Sequence, residues 1–448
     1  MPETLDHTLY LQPEGWPDVS DLFPIVAMTT QIQLLQDLVS DLARGRPVIE
    51  VSNIRNFRWL DLSEPQDVPI TLVPKGEDVV SVSLGGYCRA TLRVGELPPA
   101  PRYERAPLAN PRPAEHTAQD LWDLRLMFHG PRFRGIDTLG PIGDDGLLGA
   151  FTHLDTPGSL LDNLGKLIAY WVIDHGGVGE GALPIGVERI QFFGPQPRPG
   201  EPVHCDVRIR ELQRDLVRGD GVLVGPDGTI MCQVQGWSSV VFHLDGRMEP
   251  LYHRPSTNHA VDPQPGGWTV QVERWLTGAG RDLTARRFMG RAERARYQAM
   301  NVVEQRRHLL ETITVKDTVR HWLAERFGID AYPVQVVPVP DGERRFRVEC
   351  PLVPAGHDPR VTVSTPYMLS DALAVMVAIV GDGEYRDIEA RHVPDGADPE
   401  EVAREAAAAV QARNPDARVA SVPAPEHVMP IDLTDVPEPP PFAVAWTE

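Results

Sequence analysis

The 448-residue chain is 42% hydrophobic and 24% charged, a globular balance with room for two to four domains. Its formal net charge of −20 argues against a nucleic-acid binder, which needs a basic face, and against an anionic membrane surface, while leaving room for a local basic patch. No apolar run approaches the roughly 18 residues of a membrane helix, no basic-then-apolar leader opens the chain, and the cysteines lack a CxxC pair, so a reduced, cytoplasmic protein is expected.

In chain order, His7 lies in LDHTLYLQPEGW, close to a strand-like segment. Phe23-Pro24 is predicted to open a helix whose apolar residues Met28, Ile32, Leu35, Leu38, Val39 and Leu42 recur at helical spacing. Period-two runs follow at 51–60, 68–74 and 78–94 and read as half-buried antiparallel strands. Residues 96–116, ELPPAPRYERAPLANPRPAEH, read as a stiff extended linker, because proline fixes φ and removes a donor. Pro157-Gly158 opens a second apolar helix with Leu160, Leu161, Leu164 and Ile168 on one side, followed by strand-like runs at 186–193, 203–209 and 228–242. Ile54 and Ile190 are offset by 136 residues and Val68 and Val203 by 135, so the two series stay in register. A sheet wrapped around a central helix, twice over, is the expected architecture.

A second break at 261–267, VDPQPGG, introduces a different composition. Residues 282–327 read as helical, 333–339, 345–353 and 360–364 as strands, and 400–413 as an alanine-rich helix. The apolar stretch ALAVMVAIV lies between them, and 435–441 is again proline-rich and extended. The expected domains are therefore 1–100, 117–260 and 268–448, all in an α+β chain.

A histidine and a carboxylate facing each other across a dry channel can remove one proton and deliver another, and apolar walls move both pKa values towards neutrality. Asp162, in the first turn of the second helix, is one candidate, with stabilisation of the helix end as the plain alternative. His7 is the other, although a lone histidine is more often structural.

The residues around these two carry a resemblance. FHGPRFRG (128–135) resembles the YGPxFxG motif of polyketide-synthase dehydratase domains, SLLDNLGKL (159–167) resembles their LLDxxxQ motif, and LPIGVERIQFFGP (183–195) is similar to the strand that follows it. The resemblance covers about residues 5–250. It implies a double hot-dog fold, two antiparallel sheets each wrapping a central helix, which dehydrates a carrier-bound 3-hydroxyacyl thioester. It implies Asp162 as catalytic acid, His7 as catalytic base, and Lys166, His129 and Pro131 as substrate-binding positions, with no cofactor. Lys166 stands where the family has glutamine or histidine, and His129 where it has tyrosine. His7 precedes Pro24 by 17 residues, longer than the family's HxxxGxxxxP spacing. Only six residues precede His7, so either the family's usual first strands are missing or the chain is an excised or separately encoded segment.

RRFMGRAERARYQAM and RRHLLETITVKDTVRHWL resemble phosphopantetheinyl transferases. That resemblance implies Lys316 as a coenzyme A ligand and Asp317, Asp387 and Glu389 as magnesium ligands if the domain is active. The KD and DIE motifs occur in the reverse of the usual order, and VSTPY lacks the family's histidine, so a degenerate domain is the preferred reading. The partners implied are an acyl carrier protein and other polyketide-synthase domains, with no nucleic acid and no membrane. A homodimer is a form the resemblance allows. Because carrier proteins are acidic, Arg132/Arg134 and Arg208/Arg210 are expected to supply a local docking patch. A transferase acting on a carrier protein and a non-catalytic docking module remain the alternatives.

Overall fold

The computed structural model describes residues 2–177, 179–243, 246–273, 275, 278–368, 374–394, 396–423 and 442–448. The predicted extension at 435–441 lies outside the described residues. Two compact units emerge: Met1–Tyr10 with Leu22–Leu244, and Leu11–Asp21 with Asp245–Glu448. Among the described residues, no helix is long and apolar enough to cross a membrane.

In the first unit, helix α1 (Met28–Leu42) is followed by β1 (Val48–Asn56), β2 (Ile70–Pro74), β3 (Val79–Leu84) and β4 (Cys88–Val94). After β5 (Ile136–Gly143) and β6 (Gly146–Thr152), helix α2 (Ser159–Gly176) is followed by β7 (Glu180–Phe192), β8 (Pro202–Gln213), β9 (Leu216–Val224) and β10 (Ile230–His243). The strands form one ten-stranded antiparallel sheet in the order β2-β3-β4-β1-β7-β10-β9-β8-β6-β5. The order β2-β3-β4-β1 reappears mirrored as β7-β10-β9-β8, so each repeat wraps an antiparallel sheet around its helix. The two sheets predicted as separate are joined edge to edge through β1 and β7, with Val51 opposite Ile190 and Ile54 opposite Val187.

Local sequence explains most of these elements. Strand β4 alternates buried and exposed side chains, with Ala90 and Leu92 inward and Arg89 and Arg93 outward, the signature of a half-buried strand. Helix α2 is enclosed on nearly all sides: Leu164, Leu167, Ile168 and Tyr170 are fully buried, and Lys166 is buried with them. Helix α1 buries the apolar stripe Met28, Ile32, Leu35 and Val39 together with Thr29, Thr30, Gln31 and Gln36, while Leu42 is 63% exposed. Phe23-Pro24 does not open α1. The helix begins at Met28 after a short strand, Ile25–Val26, paired with Leu60–Asp61. The proline-rich segment stays extended and lies along the second repeat through the bridges Arg102–Thr229 and Arg112–Ile142.

Between His7 and Pro24 the chain makes the excursion Leu11–Asp21. It is closed at its neck by Tyr10 N–H to the Leu22 carbonyl at 3.2 Å and Leu9 N–H to the Phe23 carbonyl at 3.3 Å. The unusual spacing between His7 and Pro24 is therefore an insertion that leaves and re-enters at one point.

The second unit contains β11 (Trp268–Val272), α3 (Gly278–Phe288), α4 (Arg291–Gln298), α5 (Val302–Phe327), β12 (Val337–Pro340), β13 (Arg345–Glu349), β14 (Pro359–Val363) and β15 (Ala374–Asp382). It ends with β16 (Ile388–His392), α6 (Pro399–Arg413), β17 (Val419–Val422) and β18 (Phe442–Thr447). The order β11-β15-β14-β13-β12 forms a sheet with short strands at Asp262–Gln264 and Tyr367–Met368, and β16-β18-β17 forms another. The predicted helical region is three helices. Asn301 caps α5 by accepting from Val303 and Glu304 N–H at 3.0 Å, and Glu304 returns the bond to Asn301 N–H at 3.1 Å.

Two charged motifs of this unit are part of its interior. Lys316 is fully buried, bonding Glu293 at 2.8 Å and the Pro333 carbonyl at 3.1 Å. Asp317, also fully buried, pairs with Arg320 and accepts from Ala260 N–H, while Arg320 holds the Ala331 carbonyl at 2.7 Å and the Asn258 carbonyl at 2.8 Å. This network ties α5 to two neighbouring loops. It leaves neither Lys316 nor Asp317 presented to a ligand.

Two stability tests follow from this packing. Gly158, at φ +82, precedes α2 where the start of α1 crosses it, and an added Cβ would lie 2.5 Å from the Thr29 carbonyl carbon. Gly158→Ala should cost the first unit about 2 kcal/mol or more, lowering its melting transition by roughly 4–8 °C in calorimetry. Asp317→Ala strands the buried Arg320 and should destabilise the second unit by about 3–5 kcal/mol in denaturant titration, with or without magnesium. A loss confined to magnesium-containing buffer would mark a metal ligand instead.

Candidate active site

The site is assembled from three separate stretches of the first unit. His7 follows a short 3-10 turn and is held on both sides by backbone. It forms an antiparallel bridge with His129, the Ile25 N–H donates to its carbonyl at 3.1 Å, and Gly130 N–H donates to the Asp6 carbonyl at 2.6 Å. Glycine is required at 130 because a Cβ there would lie 2.9 Å from the Asp6 Cα. His7 Nδ1 sits 2.9 Å from the Ile25 carbonyl oxygen. A carbonyl only accepts, so Nδ1 carries the proton and Nε2 keeps its lone pair.

Asp162 stands in the first turn of α2, with its Oδ2 2.6 Å from Lys166 Nζ one turn further on. Thr29 at the start of α1 donates to Asp162 Oδ1 at 3.4 Å. Lys166 also donates to the Phe133 carbonyl at 2.5 Å and to Asn163 Oδ1 at 3.2 Å. His129 Nε2 lies 3.6 Å from Asp162 Oδ2, and its Nδ1 is buried without a hydrogen-bond partner. One ligand-type atom each from His7, His129 and Asp162 lies within 4.8 Å of the others, the only such group among the described residues. These three could hold a metal ion, but the Lys166 ammonium already occupies the carboxylate. We therefore read them as proton-transfer groups.

The electrostatics follow from burial. Desolvation pushes the His7 pKa below its ordinary value, with Asp162 opposing and Lys166 reinforcing the shift. Desolvation, Lys166 and His7 together hold His129 well below the ordinary imidazole range. Burial also lowers the Lys166 pKa, against the pull of Asp162. Both imidazoles are thus neutral at pH 7, and the ammonium gives up its proton more readily than an exposed lysine would.

His7, His129, Asp162 and Lys166 face one common cleft. Its walls include Met28, Met127, Phe128, Leu183, Pro184 and Trp237. The cleft is mostly apolar with a few convergent polar groups, the ordinary form of a small-molecule site.

The structure thus brings four of the five candidates in this unit together. Pro131 is the exception: it is exposed, outside the cleft lining, and opens the 3-10 turn that buries Phe133 against the Lys166 head. Its ring presets the backbone angle at the start of that turn. Tyr170 also lies outside the lining and accepts from His116 N–H at 3.1 Å. Thr29, Asn56 and Trp59 are among the lining residues that the sequence did not nominate. They come from the first repeat, where no motif marks them; only their positions at the start of a helix and the end of a strand hint at the site.

The expected docking arginines are engaged elsewhere. Arg208 pairs with Asp206 at 2.7 Å, Arg210 with Asp220 and Arg132 with Asp6 at 3.5 Å, while Arg134 donates to the His129 carbonyl at 2.9 Å.

In the second unit the four residues expected to bind magnesium and coenzyme A do not converge. Asp387 is buried immediately before β16, held by Arg413 at 2.7 Å and Asn414 at 2.7 Å. Burial works to raise its pKa, but these partners outweigh it and keep the carboxyl below its ordinary range. Glu389 meets Arg413 at 3.1 Å and Arg344 at 3.6 Å. With Asp317 and Lys316 committed to α5, the donor set does not fit a hard cation, which needs several free oxygens around one point.

Residues 96–248, about a third of the chain, match the family model described as the polyketide synthase dehydratase N-terminal domain. Asp162, Lys166 and His129 lie within that match and His7 outside it. A comparison with curated proteins returns no match. Among solved structures, the dehydratase domain from the CurJ module of the curacin polyketide synthase is 17% identical, with 52% of this chain and 90% of that chain covered and a TM-score of 0.40. The CurF dehydratase domain of the same synthase is 15% identical, covering 54% and 89% at a TM-score of 0.41. The dehydratase domain of RzxB from Pseudomonas fluorescens is 14% identical, covering 49% and 86% at 0.40. Over residues 96–248, which span the motifs around His129 and Asp162, this chain is similar to dehydratase domains of the polyketide-synthase type.

Proposed function

We propose that the first unit removes water from a 3-hydroxyacyl thioester carried on the phosphopantetheine arm of an acyl carrier protein, giving the 2,3-unsaturated thioester. The observation that carries this reading is the opposition of a neutral His7 with a free Nε2 lone pair to the Asp162–Lys166 pair in one apolar cleft. His7 Nε2 takes the proton from C2. The C2–H electrons form the double bond as the C3–O bond breaks, and the hydroxyl leaves as water with a proton from Asp162. Lys166, 2.6 Å from Asp162, supplies that proton through the carboxylate as it is transferred, and His7 then returns the one it gained to the Lys166 amine, which restores the ion pair and completes the cycle. Neither metal nor redox cofactor has a part in these steps. Other synthase domains that supply and accept the carrier are the expected partners.

We read the second unit as non-catalytic. The transferase reading has no observation in its favour once Lys316, Asp317, Asp387 and Glu389 are accounted for as buried or arginine-paired groups.

Asp162→Asn and His7→Ala should each lower turnover of a 3-hydroxyacyl carrier protein by about 10²–10⁴-fold, followed as loss of water by mass spectrometry. Wild-type inactivity, or full turnover in Asp162→Asn, would reject the assignment. The pH dependence is a second check. His7 acts as a base and its pKa is lowered, so kcat/KM should fall only below about pH 6.5, as the imidazole protonates. Because the Lys166 charge helps depress that pKa, Lys166→Gln should move the acid limb to higher pH as well as reduce kcat. An acid limb unmoved in this variant would separate Lys166 from the proton-transfer network.

A further inference from the structure

We propose that Arg55, Arg58 and Arg89, grouped around the exposed Phe57, form the docking surface for the acidic carrier protein, and that Asn56 and Trp59 receive its phosphopantetheine arm. The proposal rests on the dehydratase reading above and names the surface through which substrate reaches that site.

Charge sets the problem. A chain of net charge −20 repels an acidic partner, and the arm itself carries a phosphodiester, so productive docking needs a local concentration of unneutralised cations. Strand β1 supplies one. Ile54 points into the core, which turns Arg55 to the outer face. In the β1–β4 register Arg55 stands directly opposite Arg89, also outward and exposed. Like charges facing each other across a strand pair are unfavourable unless something anionic sits over them. No carboxylate does so: among the described residues Arg55, Arg58 and Arg89 have no ion-pair partner, whereas nearby Arg46 and Arg189 pair with Asp78 and Glu50.

Two of the three guanidinium groups are nevertheless held in place. Arg58 lies 4.3 Å over the Tyr87 ring and Arg89 5.8 Å from the Phe57 ring. Phe57 itself is 59% exposed, with its N–H bonded to the Tyr87 carbonyl at 2.8 Å. An apolar ring among unpaired cations is a surface suited to an acidic helical partner with its own apolar residues.

The same stretch leads inward. Asn56 and Trp59, which flank the exposed pair Phe57-Arg58, line the catalytic cleft. Asn56 Oδ1 is buried without a hydrogen-bond donor. A pantetheine amide N–H passing Trp59 would supply the missing donor, while the phosphate remains with the arginines outside.

The test compares full-length wild type with the charge reversal Arg55→Glu/Arg58→Glu/Arg89→Glu on two substrates, the 3-hydroxyacyl carrier protein and the same acyl group on a phosphate-free pantetheine thioester. The expected result is a fall of about 10-fold or more in kcat/KM for the carrier, mostly through KM and diminishing as salt rises, with less than about 3-fold change for the small thioester. Equal losses on both substrates, or unchanged carrier kinetics, would overturn the proposal. Carrier binding is measured in parallel by interferometry with the milder Arg55→Gln/Arg89→Gln variant and with Asn56→Ala, so docking is read even without turnover. Unchanged affinity in the arginine variant rejects this surface, whereas weakened affinity with an inactive wild type rejects only the dehydratase reading.

Discussion

The antiparallel pairing of β1 with β7 is the constraint from which the site follows. It joins the first strand of each repeat at the middle of a ten-stranded sheet, with Val51 against Ile190 and Ile54 against Val187. Side chains alternate with period two, so a slip of one residue would bury Arg55 and expose Ile54. The same pairing sets the two helices side by side. Thr30 at the start of α1 donates to the Pro157 carbonyl at 2.9 Å, and Thr29 reaches Asp162. A carboxylate from one repeat and a histidine preceding the other thereby share one cleft.

The cleft solves an electrostatic problem through pairing and neutralisation. A buried carboxylate or ammonium alone is costly, and Asp162 and Lys166 offset each other at 2.6 Å. Two imidazoles beside that ammonium remain neutral because water is excluded and a nearby positive charge opposes a second one. His7 is thus kept unprotonated in part by the ammonium that is paired with Asp162. Lysine at 166 in place of the amide or imidazole of the resembled family makes that coupling possible. The excursion Leu11–Asp21, closed at its neck by two backbone hydrogen bonds, leaves His7 in position despite its unusual distance from Pro24.

The second unit shows how the same residue types serve a different end. Glu293, Lys316, Asp317 and Arg320 form a buried set in which every charge has a partner and spare donors reach backbone carbonyls. Breaking such a set is expensive even though building it gains little over an apolar core. Asp387 and Glu389 are likewise matched by arginines. These are structural uses of charge, and spacing along the chain does not distinguish them from a metal centre.

The sequence by itself determined the repeated helix-and-strand pattern, the buried face of each strand and Asp162 as the carboxylate of an apolar helix. These are local consequences of hydrophobic periodicity and of helix-start chemistry. It also carried His129, Lys166 and His7 through family motifs. Only the tertiary structure decided that Pro131 lies outside the cleft, that the two sheets merge through β1 and β7, and that Thr29, Asn56 and Trp59 complete the walls. It also decided which arginines are spent on carboxylates and which, such as Arg55 and Arg89, remain without one. The reason is that pairing and burial depend on residues far apart in the chain, and periodicity reports which face a side chain takes but not what it meets there.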